Sequence, residues 1–199
     1  MSEIRQNSEA AVHELIAGRW SPRAFDPTRK VSRDQLLSLL EAARWAPSCF
    51  GDEPWRFVIG DKDADEAGWN RIFSSLAEKN QLWAKHAPLL ILAVADSQFR
   101  MNGNPNRWGQ YDSGAASISL CLQAEALGLS AHQMGGFDSD AVRESVGVSE
   151  QFTPMAVIAV GYQGSLDDLA EDFHGMETAP RKRQPLAENF FSGRWGREV

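Results

Sequence analysis

The chain has 199 residues, 43% of them hydrophobic, which is enough to bury one core without disulfides or a structural metal. Its formal net charge of -7 excludes a phosphate-backbone partner such as nucleic acid, which demands a basic face. Cys49 and Cys121 form no CxxC pair and stand beside no histidine, so no zinc site or disulfide framework is expected.

The N-terminal stretch MSEIRQNSEAAVHEL is charged throughout and lacks an apolar leader, and the longest apolar run, 88–95, is too short to span a bilayer. A cytoplasmic protein, neither exported nor in a membrane, is expected. Elements then follow in order. A helix is expected near Ala10–Gly18, and RWSPRAF follows it with Arg19, Ser21 and Arg23 close together. Ser32 with Gln35 reads as a capping box, and Leu36, Leu37, Leu39 and Leu40 supply a helical stripe, so a helix spans Arg33–Trp45. Pro47 stops it; APSCFGDEP is a loop, and WRFVIG has the bulk and length of a strand.

A helix near Glu66–Ala77 precedes two unbroken apolar runs, Pro88–Asp96 and Pro154–Tyr162, which suit strands in the middle of a sheet with both faces covered. Between them, Ser113–Leu129 has helical composition and a single charge, Glu125, so it is expected to be buried nearly all round. A central helix in the chain's own interior and a helix buried against a second subunit account for this about equally. A short strand near Ala131–Met134 and a helix near Ala141–Val146, capped by Asp138 or Ser139, complete an α+β pattern. The tail 180–199 is apolar yet aperiodic, as in a segment that packs on something.

GxGxxG, GxxxxGK[ST], HExxH and GxSxG are all missing, which leaves nucleotide hydrolysis, zinc proteolysis and α/β-hydrolase chemistry unsupported. The basic residues at the two chain ends remain. Arg181 and Arg183 in PRKRQP alternate as they would in an extended segment, and with Arg19 and Arg23 they could converge on a phosphate dianion. Charge alone favours the other reading, two solvated runs.

RWSPRAF, the following helix, APS, PWRF, EKNQLWAKHAPLLILAVAD, YDSGAASISLCLQAEALGL, HQMGGFD, PMAVIAVGY and PRKRQPL together resemble the nitroreductase family, in the family's order and from about residue 17 to 196. The resemblance implies one α+β domain over 1–199: a central, mainly antiparallel sheet flanked by helices, in an intertwined homodimer with the tail 180–199 on the partner subunit. It implies FMN shared between two chains, with NAD(P)H as cosubstrate. Arg19, Trp20, Ser21 and Arg23 then resemble residues at the flavin phosphate and pyrimidine edge, and Arg181 and Arg183 a distal phosphate clamp. Pro47, Ser48 and Cys49 resemble the loop that the other subunit lays against the isoalloxazine. Gly135 and Gly136 resemble backbone amides offered to the flavin's N5 and O4, and Asn80 and Gln81 a polar pair near the ring or ribityl chain. Alone, the glycine pair reads as a plain turn, and Trp55 and Phe57 read as strand core.

The implied activity is ping-pong reduction of small electron-poor acceptors such as nitroaromatics or quinones, with no catalytic side chain and no metal, because the flavin carries the chemistry. Rival readings are a reductive dehalogenase or flavin-consuming enzyme on the same fold, for which the spacing leaves little room for a lid, and a flavin-binding dimer without turnover. One departure matters: Gly51 and Glu53 stand where the family commonly has Asn and Gln, and a carboxylate cannot donate a hydrogen bond as an amide does.

Overall fold

The computed structural model describes residues 8–199; residues 1–7, part of the stretch expected to carry no leader, lie outside it. Four strands form one sheet in the order β1-β2-β4-β3: β1 Trp55–Asp61, β2 Leu89–Asp96, β3 Ser130–Met134 and β4 Phe152–Gly161. All three pairings are antiparallel. The two apolar runs are the inner strands, as expected, and every residue of β2 is buried. β4 starts two residues before the expected Pro154, and the register slips between Ala93 and Val94, so Pro154 sits at an irregularity where its missing N–H costs no regular ladder bond.

Alternation along the strands divides the core in two. Leu90, Leu92, Val94, Val157, Ala159 and Met134 face a layer that holds Trp69 and Ile72 of helix α3 (Glu66–Phe73), Trp83 of α4 (Glu78–Ala84) and Val142 of α6 (Ser139–Val146). Leu89, Ile91, Ala93, Ile158 and Val160 face α2 (Arg33–Arg44) and α5 (Gly109–Ala126). Trp55 belongs to this second core and Phe57 packs against it, which places both with the sheet.

Local signals account for most boundaries. At α2, Ser32 Oγ accepts from Gln35 N at 3.2 Å while Ser32 N donates to Gln35 Oε1 at 3.0 Å, the expected capping box. Asp138 caps α6 by accepting from Asp140 and Ala141 N–H. Two helices are shorter than their patterns imply. The first helix, α1, is only Glu14–Gly18, because residues 8–12 are exposed and have no core to pack against. α3 stops at Phe73, since Leu76 pairs with Phe137 as an isolated bridge and pulls the chain out of the helix. Helix α4 has no strong sequence signal and was not expected.

The largest correction concerns α5. It begins at Gly109 and ends at Ala126, and it buries one face only: Asp112, Ser113, Ala116, Ser117, Leu120, Cys121 and Ala124. Its opposite face opens outward with Tyr111 75% and Ile118 41% exposed. The chain's own core covers half of the helix, so near-complete burial does not occur within one subunit. Two short helices, α7 (His174–Thr178) and α8 (Leu186–Asn189), lead into a tail whose residues from 182 onward are exposed except the half-buried Phe191.

Candidate functional site

The two chain ends meet beside α5. Gly18, the last residue of α1, lies so close to the C-terminal turn of α5 that a Cβ there would come within 2.8 Å of Glu125 Oε1. The following segment, 19–25, is held by the C-terminal part of the chain through contacts of opposite sense. The Arg181 guanidinium donates to Ala17 O at 2.7 Å and to Arg19 O. The Glu177 carboxylate, almost fully buried, accepts from Arg23 N at 2.9 and 3.1 Å and from Ala24 N at 3.2 Å. Between these contacts a cleft of about 230 Å³ opens, lined by Arg19, Arg181 and Arg183 with Val12, Ile16 and Ala17.

Charge in this region is unbalanced. Among the described residues, salt bridges are Lys30–Asp63, Arg44–Glu41 and Arg56–Asp96, so Arg19, Arg23 and Arg183 have no acidic partner although acids outnumber bases by 27 to 20. Arg19 reaches only the Ser21 hydroxyl, at 3.4 Å, and Arg183 donates to the Lys182 carbonyl. Trp20 is partly buried. Unpaired guanidinium groups around a small cleft leave planar donor pairs available to an oxyanion.

His132 on β3 supports the same segment from below. Its Nδ1 lies 2.9 Å from Pro22 O and its ring 4.6 Å from that of Trp83. Burial pushes its pKa down to about 4; the bond to Pro22 O acts upward and the Arg23 and Arg19 charges act downward. The imidazole is therefore neutral at pH 7, and as the Nδ1–H tautomer it donates to Pro22 O.

From His132, β3 runs at about 3.3 Å per residue toward Gly135 and Gly136, so the glycine pair lies roughly 10 Å along the chain from His132. Asn80 meets it there: its amide donates to Gly136 O at 2.9 Å, and a Cβ on Gly136 would strike the Asn80 nitrogen at 2.8 Å. At Gly135 no atom lies within 4 Å of the Cβ position, so that backbone is open to an approaching ligand. Gln81 turns the other way and donates to Leu76 O at 2.7 Å, closing the turn before α4.

Pro47, Ser48 and Cys49 lie elsewhere. Cys49 N donates to Asp112 Oδ2 at 2.9 Å, and Asp112 is at the N-terminal turn of α5, whereas the arginine cleft is at the C-terminal turn. Thirteen residues of helix, Asp112 to Glu125, separate the two by about 20 Å. The loop itself is tightly held. Phe50, Gly51 and Glu53 have φ of 56°, 66° and 48°, in the left-handed region that costs non-glycine residues energy. Ser48 Oγ accepts from Glu53 N, and buried Asp52 accepts from Arg100 N and Asn106. Phe50, 83% exposed, projects from it. The Glu53 main-chain oxygen accepts from Arg56 and Arg100.

Of the sequence-derived residues, one chain thus gathers Arg19, Arg181 and Arg183 at one cleft with Ser21 beside Arg19, holds Arg23 on the same segment by its backbone at Glu177, and brings Asn80, Gly135 and Gly136 together at a second place beyond β3. It leaves Pro47–Cys49 at the far end of α5. Glu177 and His132 are two supports that no local signal reveals: Glu177 closes a segment with four nearer-to-surface acids, Asp167, Asp168, Glu171 and Asp172, and His132 sits on the inward side of a short edge strand. Among the described residues, no three His, Cys, Asp or Glu groups are placed to hold a metal, and no helix is long and apolar enough to cross a membrane.

Fold and site define an α+β protein in which arginines from both chain ends gather over one cleft. The chain belongs to the nitroreductase family, whose profile matches residues 16–162. It is similar over its whole length to a crystal structure of an oxidoreductase containing FMN, with 36% identity, full coverage of both chains and a TM-score of 0.90. A nitroreductase family protein from Clostridium difficile superposes at a TM-score of 0.70 and 25% identity, covering 91% of this chain and 97% of that one. A protein of Staphylococcus haemolyticus provisionally named an NAD(P)H nitroreductase is 30% identical over 73% of this chain and 85% of its own length.

Proposed function

We propose that the chain is an FMN-dependent oxidoreductase that takes hydride from NADH or NADPH and reduces small electron-poor acceptors, nitroaromatics or quinones among them. The observation that carries the reading is the cleft at the chain ends, where Arg19 and Arg183 lack acidic partners among the described residues and line a space of about 230 Å³, with room for a phosphate group. The full-length relative that contains FMN and the relative named for NAD(P)H supply the cofactor and the donor.

The residues present fit this cofactor. Arg19, Arg183 and Ser21 would hold the phosphate, with Arg181 at the cleft wall, and Arg23 would supply positive charge to the pyrimidine edge, where reduction accumulates negative charge. Gly135 offers unobstructed backbone toward the ring, and Asn80 fixes the turn that presents it. FMN, when bound, would supply the hydride-transfer chemistry between the nicotinamide and the acceptor. No side chain acts as general acid or base; the protein positions, screens from water and stabilises charge.

The active particle is a homodimer. The outward face of α5, with Tyr111 and Ile118, and the exposed Phe190 and Trp195 of the tail are apolar surface that a second chain covers. A partner also brings its Pro47–Cys49 loop to a flavin that this chain's own loop, about 20 Å away along α5, does not reach. The whole chain acts as one domain; the tail 180–199 is anchored on its own chain through Arg181 and through Leu186 N, which donates to Glu9, and its remaining exposed residues reach the partner.

An absorbance spectrum of the purified protein, followed by anaerobic titration with NADH or NADPH, tests the reading. A yellow protein that bleaches is the expected result. Colourless protein that fails to take up added FMN contradicts it.

A further inference from the structure

We propose that Glu177 is a positioning residue for the phosphate end of the flavin site, an inference that rests on the function proposed above. Its carboxylate is 9% exposed and meets no cation among the described residues. It accepts instead from two consecutive backbone amides, Arg23 N and Ala24 N, at 2.9 to 3.2 Å. A buried carboxylate without a cation is costly unless its oxygens are fully used, and here the N–H groups of the arginine segment use them.

The consequence is geometric. Arg19, Ser21 and Arg23 sit on an irregular segment that no helix or sheet ladder stiffens before the isolated bridge at Phe25. Glu177 fixes that segment from α7, three residues before Pro180 and just ahead of Arg181 and Arg183. One short stretch, 177–183, therefore holds the N-terminal arginines by their backbone and contributes its own beside them. Contact in both directions, with Glu177 accepting from Arg23 and Ala24 and Arg181 donating to Ala17 and Arg19, sets the distance between the two arginine groups. Glu177 touches no ligand itself; its effect passes through Arg19, Ser21 and Arg23.

Comparison of FMN with riboflavin isolates the phosphate contribution, because the two differ only by that group. Dissociation constants for both are measured by flavin fluorescence on the apo-dimer, for the wild-type protein and for Glu177→Ala and Glu177→Gln, well below each melting temperature. Glu177→Ala is expected to reduce the preference for FMN over riboflavin by about tenfold, with a smaller loss of riboflavin affinity that passes through Arg23 at the pyrimidine edge. Glu177→Gln, which keeps one acceptor oxygen for both amides, is expected to retain most of the preference. An unchanged preference in Glu177→Ala, or equal loss for both flavins, overturns the positioning role while the flavin reading stands. A wild-type protein with no preference for FMN removes both. If Glu177→Ala does not fold, Glu177→Asp, whose carboxylate is withdrawn by one methylene, is read by the same criterion.

Discussion

The two ends of α5 differ in what one chain supplies. At the C-terminal turn, Arg19, Arg181 and Arg183 already face one cleft, with Glu177 and His132 beneath them. At the N-terminal turn, a strained and strongly anchored loop projects Phe50, 83% exposed and edge-on to Phe99, and gathers no cluster of unpaired arginines. The cost of holding this loop and the exposed outer face of the same helix both fit the proposed contact with a second copy.

The comparison breaks most severely if the outer face of α5 is spoiled. Ile118→Arg would leave a buried, unpaired charge at the interface, a cost of about 3 to 5 kcal/mol, and is expected to give a folded monomer that no longer retains FMN. Light scattering with far-UV circular dichroism reads both properties; an intact dimer would show that this face is not the seam.

Acid acts on the C-terminal end through His132. His132 takes up a proton near pH 6.5 when unfolded but only near pH 4 when folded, so between those values protonation favours the unfolded chain. Stability is lost as pH falls through that window, by roughly 3 kcal/mol in total, with no further loss from this group below about pH 4. Denaturant melts across the window, compared with His132→Asn, should show a flattened profile in the variant.

Smaller effects sharpen the contrast. Arg19→Ala or Arg183→Ala removes a charge-assisted phosphate contact worth about 1.5 to 3 kcal/mol and is expected to weaken FMN retention correspondingly, as equilibrium dialysis would measure. Cys49→Ala is expected to change FMN affinity less than about threefold, because this residue anchors the loop through its backbone N–H to Asp112. A large loss in that variant would assign the thiol a contact of its own.

The difference between the two ends also explains what the sequence discloses. Elements built on local chemistry are legible: the Ser32–Gln35 box starts α2, and the apolar runs become the buried strands β2 and β4. α5 misleads, because a helix with so few charges, Asp112 and Glu125, reads as buried all round, whereas one chain buries only one face of it. The arginines could be picked out by family pattern. Their convergence on one phosphate follows from the resemblance and not from charge alone, since residues 19 and 183 are joined only through tertiary contacts. Glu177 and His132 carry no motif at all: what marks them is a bond to backbone more than a hundred residues away.

A mixed dimer tests the shared site most directly. One chain carries Arg19→Ala and Arg183→Ala, and the other carries Cys49→Arg, which places a long cation on the loop; neither variant paired with itself should retain FMN. Sharing places both intact halves at one of the two seams, so the mixed dimer should bind one FMN. A mixed dimer that binds none would show that each flavin is held within a single chain.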